Sequence, residues 1–186
     1  PTVRSSQTER EPVENLRSFA AVDRSVMSEA RDLCQPLYGT YCFSEIAGTA
    51  ASLLGSRVGW NRLPDDCLPK SIGHVRRVVL LLIDALGWDS VREFDHALLA
   101  RFRREGVVSK LTSQFPSTTA ACIPTLATGK TVGENGAYEW WMYLPEAGDL
   151  ISPLTFSSRE RRSRRGSLLE KGIIPNPVIP IPSVYS

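Results

Sequence analysis

The chain has 186 residues, 42% of them apolar and 23% charged, which suits one ordinary domain with a core of its own. Lys and Arg number 22 against 20 Asp and Glu, and a net charge of +2 is too small a field to argue for a nucleic-acid partner or an anionic membrane. The longest aliphatic run, residues 78–83, has strand length and falls far short of the roughly 20 apolar residues a membrane span needs, so a soluble protein is expected.

In chain order, residues 1–30 are polar and weakly periodic and read as a tail, disordered or marginally helical, ahead of a domain over 31–186. They lack the apolar region of a signal peptide, which favours a cytoplasmic location, and Met27 is a candidate natural start. A Pro36-Leu37-Tyr38-Gly39 turn leads to Ser44, placed to cap a helix whose apolar residues Ile46, Ala50, Leu53 and Leu54 recur at helical spacing, with Gly55 as its stop. Residues 56–73 carry Pro64 and Pro69 and read as a loop.

The run 78–83 shows no polar alternation, as expected of a strand buried on both faces of a parallel sheet, and Asp84 ends it. Residues 90–105 form a helix candidate with Val91, Phe94, Leu98, Leu99 and Phe102 on one face, closed by Gly106. Residues 107–111 read as a second strand and 118–126 as a helix after the Pro116 turn. Alternating strand and helix predicts an α/β sheet with its chemistry at the carboxyl ends of the strands. Arg159, Arg161, Arg162, Arg164 and Arg165 read as a solvated loop or helix end, and the prolines from Pro175 onward as a strand and loop cut off before their partners. Cys34, Cys42, Cys67 and Cys122 show no C-x-x-C spacing, and with only His74 and His96 beside them they make no zinc-finger set, so reduced thiols are expected.

Asp84 is placed to project from the carboxyl edge of its strand, where a carboxylate serves as a divalent-metal ligand or merely caps the next turn. Phe115-Pro116-Ser117-Thr118-Thr119-Ala120-Ala121 puts hydroxyls at the start of a helix. Unpaired N–H groups and the positive dipole end favour an anionic substrate there, although an ordinary N-cap accounts for the same residues. Thr128-Gly129-Lys130-Thr131 imitates the end of a Walker A loop, but Pro124 stands where that motif needs glycine.

Taken together, Val79-Leu80-Leu81-Leu82-Ile83-Asp84-Ala85-Leu86-Gly87 and the segment from Phe115-Pro116-Ser117-Thr118-Thr119 to Thr128-Gly129 resemble the alkaline phosphatase superfamily, in its type I phosphodiesterase/nucleotide pyrophosphatase branch. The resemblance implies the N-terminal part of a three-layer sandwich with a mostly parallel sheet. It implies a hydrolase of small phosphate esters or nucleotide-like substrates, using two divalent ions, zinc or alternatively manganese. Asp84 matches the family's metal-binding aspartate and Thr119 its nucleophile, itself a metal ligand, with Thr118 as the adjoining alternative. The N–H of Ala120 becomes a phosphoryl contact, while Tyr138 and Trp140, with Trp141 and Tyr143, either line a substrate pocket or belong to the core.

Two departures stand out. Asn135 occupies the place of a family histidine in Glu134-Asn135-Gly136, and near Glu139-Trp140 no asparagine stands where nucleotide pyrophosphatases hold the transferring phosphoryl group. The Asp and His residues that complete the family's second metal site are absent from this chain, which is expected to be a truncated portion and inactive alone. The alternative is a catalytically silent remnant serving as a binding or scaffold domain.

Overall fold

Among the described residues the first element is the strand Val13–Glu14 (β1), which passes into the helix Leu16–Arg24 (α1). Asn15 joins them. Its Oδ1 accepts the Ser18 N–H at 3.1 Å, satisfying a first-turn donor, while its Nδ2 donates to the Asp66 carbonyl and to Ser109 Oγ, each at 3.0 Å. One buried side chain thus starts the helix and ties it to two distant segments. The computed structural model describes residues 13–26, 33–57, 59–94, 96–161 and 164–174, so Met27 and the proline-rich stretch from Pro175 lie outside the described residues.

Helix α2, Ile46–Leu53, follows a 3-10 turn at Phe43–Glu45. Ser44 does not cap it as the sequence suggests. Its hydroxyl donates to Glu45 Oε1 at 2.7 Å, and the Gly39 N–H reaches the same oxygen at 2.9 Å, so the buried carboxylate takes the hydroxyl first. The helix ends as expected at Gly55, whose φ of +81° suits glycine.

The run at 78–83 is the largest correction. It forms no strand, and Val79 and Leu81 are 92% and 65% exposed. A doubly buried strand needs a neighbour on each edge and a layer on each face, and no described strand pairs with this run. The expected helix over 90–105 is also divided, into Trp88–Glu93 (α3) and Ala97–Glu105 (α4). Phe94 turns to extended geometry, and His96 caps α4 by accepting the Leu98 N–H on Nδ1 at 3.2 Å.

Strand β2, Val107–Val108, pairs in parallel with β1. It stops short of the expected residue 111 because β1 gives way to α1, whose Ser18 Oγ accepts the Lys110 N–H at 3.0 Å. Helix α5 spans Thr119–Thr128 and helix α6 Val132–Asn135. They lead into an antiparallel sheet of Met142–Leu144 (β3), Asp149–Ser152 (β4) and Ser157–Ser158 (β5). Helix and strand are mixed, broadly α/β, but the described strands do not form a mostly parallel sheet: β1–β2 is the parallel pair and the larger sheet is antiparallel.

Two packed regions support the fold. Leu144, Ile151 and Leu168 form an apolar cluster under the antiparallel sheet, flanked by Ala147, Phe156 and Ile173. Helices α2 and α5 are in contact, and each buries small residues, Ala47 and Gly48 on one and Ala120 and Ala121 on the other. The four cysteines are free thiols, as expected. Among the described residues no helix is long and apolar enough to cross a membrane.

The Tyr41 hydroxyl donates to Asp66 Oδ2 at 2.8 Å, and burial together with this bond pushes its pKa from 10.0 up to about 12. A phenol whose folded pKa exceeds its unfolded one contributes stability that is complete below pH 10 and lost as pH rises toward 12. Urea unfolding of the wild type against Tyr41→Phe should show a difference that is constant below pH 10 and shrinks above it. A difference independent of pH across that window would disprove the linkage.

Candidate active site

The loop before α5 is held from three sides. Thr112 pairs with residues on either side of Cys42: the Phe43 N–H donates to the Thr112 carbonyl and the Thr112 N–H to the Tyr41 carbonyl, each at 2.9 Å. Tyr38 Oη accepts the Phe115 N–H at 2.9 Å, ahead of a cis Phe115–Pro116 bond. Thr118 then caps the helix, its Oγ1 accepting the Ala121 N–H at 3.3 Å and its carbonyl the Ala121 and Cys122 N–H groups at 3.1 and 2.9 Å. The N–H groups of Thr119 and Ala120 point out of the first turn with no carbonyl one turn back to receive them.

With Thr118 engaged as the cap, the hydroxyl of Thr119 is free to face outward. It donates to the Asp84 carboxylate, at 3.1 Å from Oδ2 and 3.3 Å from Oδ1. Thirty-five positions separate the two residues, so the contact is a product of folding. Asp84 also accepts the Ala85 N–H on Oδ1 at 3.0 Å, and Ala85 holds φ +60°, a left-handed conformation that costs a non-glycine residue about 1 kcal/mol or more. The carboxylate therefore caps its own turn, one of the two roles the sequence left open for it, and also meets the Thr119 hydroxyl.

Behind Thr119 lies a buried polar network. Gln114 Nε2 donates to the Ala121 carbonyl at 2.9 Å and its Oε1 accepts the Thr125 hydroxyl at 2.9 Å. Asn135 Nδ2 donates to Thr125 Oγ1 at 3.2 Å and to the Lys130 carbonyl at 2.9 Å, and its Oδ1 accepts the Ala137 N–H at 2.8 Å. All three side chains are buried, so each bond lies where water would otherwise be excluded from unpaired groups. Gly129 closes α5 at φ +65°, and a Cβ there would lie 2.5 Å from the Trp60 ring.

A model of the type I phosphodiesterase / nucleotide pyrophosphatase family matches residues 78–170, half of the chain. The chain belongs to that family. No curated protein and no solved structure matches it. The matched span holds Asp84, Thr119, the buried network and the antiparallel sheet, and it assigns the chain to a family of phosphoester hydrolases.

Asn135 is the hub joining α5, α6 and the loop between them. An open pocket of about 320 Å³ lies at the site, lined by Asp84, Ser113, Ser117 and Thr119 and by the apolar groups of Phe43, Leu82, Ile83, Leu86 and Ile123, with Cys122. Tyr138, Trp140, Trp141 and Tyr143 are exposed and do not line it. Ala120 is fully buried and is not among the residues that line the pocket. Neither His74 nor His96 reaches the pocket.

Phosphodiesterases of this family are typically metal-dependent, and the Asp84–Thr119 pair tests the fit. A carboxylate and a hydroxyl at one edge suit a shared hard or borderline cation, but tetrahedral zinc takes four ligands. Among the described residues no three His, Cys, Asp or Glu side chains converge on a metal position. The pair accounts for part of a cation site and no more. Sequence reasoning missed Gln114 and Thr125 because isolated polar residues carry no pattern. Cys122 was legible, three residues from Thr119 and thus on the same helix face.

Asn135→Ala leaves the Lys130 carbonyl and the Ala137 N–H without partners and should cost about 2–3 kcal/mol of stability. Chemical denaturation measures this directly, and a loss no larger than that of an ordinary surface substitution would rule out the hub.

Proposed function

We propose that this chain carries the nucleophile-bearing part of a metal-dependent phosphoester hydrolase, acting as a phosphodiesterase, nucleotide pyrophosphatase or phosphatase. Thr119 attacks phosphorus, and Asp84 and Thr119 hold a divalent cation, zinc or manganese. The observation that carries this is the Thr119 hydroxyl resting on the Asp84 carboxylate at the open end of α5.

A threonine hydroxyl is a weak nucleophile at neutral pH until its proton is drawn away. Asp84 Oδ2 orients the O–H and takes the hydrogen bond, fixing the lone pair that faces the pocket. The N–H groups of Thr119 and Ala120 and the positive end of the helix receive the phosphoryl oxygens, whose negative charge grows in the transition state. In the first displacement the Thr119 Oγ–P bond forms and the P–O bond to the leaving group breaks, while the threonine proton passes to solvent and the departing oxygen takes one up to leave as the alcohol. Water then attacks phosphorus and the Oγ–P bond breaks, one water proton passing through solvent to restore the threonine hydroxyl. A bound divalent cation lowers the hydroxyl pKa and neutralises phosphoryl charge.

A second reading is favoured by the small number of ligands at the site: a catalytically silent domain that retains the turn and helix as a binding or scaffold unit. Hydrolysis separates the two. In the 186-residue chain, activity on bis(p-nitrophenyl) phosphate with zinc or manganese should be weak or undetectable; in any longer product of the same gene it should be measurable and fall by roughly a thousandfold or more in Thr119→Ala. That substitution removes one exposed hydrogen bond, so stability should change by no more than about 0.5 kcal/mol. Activity that survives in Thr119→Ala and disappears in Thr118→Ala would move the nucleophile by one position. No activity in any longer product would leave the scaffold reading.

Calorimetric titration of the chain with zinc offers an independent check. Binding should be weak, as expected of an incomplete ligand set, and Asp84→Asn should abolish it. Undiminished zinc binding in that variant would exclude Asp84 as the ligand.

A further inference from the structure

The wall beside Thr119 has a definite chemical character. Of the residues lining the pocket, Phe43, Leu82, Ile83, Ala85, Leu86 and Ile123 are apolar, and no Lys, Arg or His is among the lining residues. The polar groups, Asp84, Ser113, Ser117 and Thr119, come from the turn, from the loop before α5 and from the first residue of that helix. The Asp84–Thr119 pair suits a phosphoryl group, and the apolar lining suits a hydrocarbon.

Size narrows the occupant further. At about 320 Å³ the pocket sits near the lower end of the roughly 300–1,000 Å³ range of small-molecule sites. An apolar cavity of about 150 Å³ is enough for one benzene ring. One ring or a short alkyl chain plus the phosphoryl group fills the space, whereas a base, a ribose and a polyphosphate extend beyond its lining into solvent. Each additional phosphate would also bring charge that calls for an Arg or Lys donor, and this wall supplies none. The exposed aromatic residues from Tyr138 to Tyr143, the obvious stacking platform for a base, lie outside the lining.

Resting on the reading of Thr119 as nucleophile, we infer that the ester arm held against Leu86 and Ile123 is a small, uncharged aryl or alkyl group, and that the site selects against nucleoside polyphosphates. The apolar wall gains from covering the hydrocarbon, and a charged arm placed on it loses solvation with no Lys, Arg or His of the lining to pair with. Specificity of this kind is set by the wall and not by the nucleophile.

Phenylphosphonate and adenosine diphosphate, neither of which reports on turnover, can be titrated into the zinc-supplemented 186-residue protein labelled at Leu and Ile methyls. Phenylphosphonate should bind about tenfold or more tightly than the nucleotide and shift the Leu86 and Ile123 signals. Ile123→Arg should erase or invert that preference. Leu86→Arg, in an exposed turn, repeats the test without a change inside the helix. Equal or tighter binding of the nucleotide, no binding of phenylphosphonate, or shifts confined to methyls outside the pocket would overturn the inference. Thr119→Ala separates this from the nucleophile assignment: loss of hydrolysis in a longer product of the same gene, with the binding preference of the 186-residue protein intact, supports both, and hydrolysis that persists in that longer product defeats the nucleophile reading while leaving the preference standing.

Discussion

A helix that begins with two adjacent threonines must commit one hydroxyl to its own N-terminus, and the site follows from which one it commits. Thr118 receives the Ala121 N–H and satisfies the first turn. The hydroxyl of Thr119 is thereby released from capping and meets Asp84. Reversing the roles would turn the reactive group toward the helix interior and leave the carboxylate facing solvent. The cap is thus the local decision on which the geometry of the candidate nucleophile depends.

That decision is held by hydrogen bonds more than by bulk. The residues buried on α2 and α5 are small, and many of the large aliphatic side chains are exposed. Gly48 lets the segment at Trp60 and Asn61 lie against α2: a Cβ there would lie 1.9 Å from the Asn61 carbonyl oxygen. Around α5, Gln114, Thr125 and Asn135 supply directional bonds that fix the helix relative to the loop on one side and α6 on the other. A network of this kind specifies one arrangement more sharply than an apolar contact would, because a small displacement leaves buried groups unpaired.

The sequence was informative where a local rule decides the outcome. The Gly55 stop, the start of α5 and the meeting of residues 84 and 119 were all readable, since each follows from turn chemistry or from a motif whose spacing is specific. It misled where the outcome depends on partners. Residues 78–83 have the composition of a buried strand, yet burial requires neighbours that a run of Val, Leu and Ile cannot itself supply. Residues 90–105 carry a helical period, but His96 offers its ring nitrogen to the Leu98 N–H and starts a second helix there. The antiparallel sheet from Met142 went unread because its strands are only two to four residues long, too short for alternation to register.

The exposure of the aliphatic run bears on how Asp84 is held. In a sheet, a strand-end carboxylate inherits its position from a ladder of backbone bonds; here the segment leading to it has no such ladder among the described residues. Asp84 is fixed by the Ala85 turn behind it and by Thr119 in front. Its orientation therefore depends on α5, and a ligand bridging the two oxygen groups would tighten the contact that now rests on one hydroxyl. Binding and local order at this edge share the same free energy: whatever occupies the gap between carboxylate and hydroxyl also stabilises the turn that presents them. Leu82 and Ile83, at the end of the run, are part of the pocket wall, so an ester arm lying there would cover apolar surface that otherwise faces water.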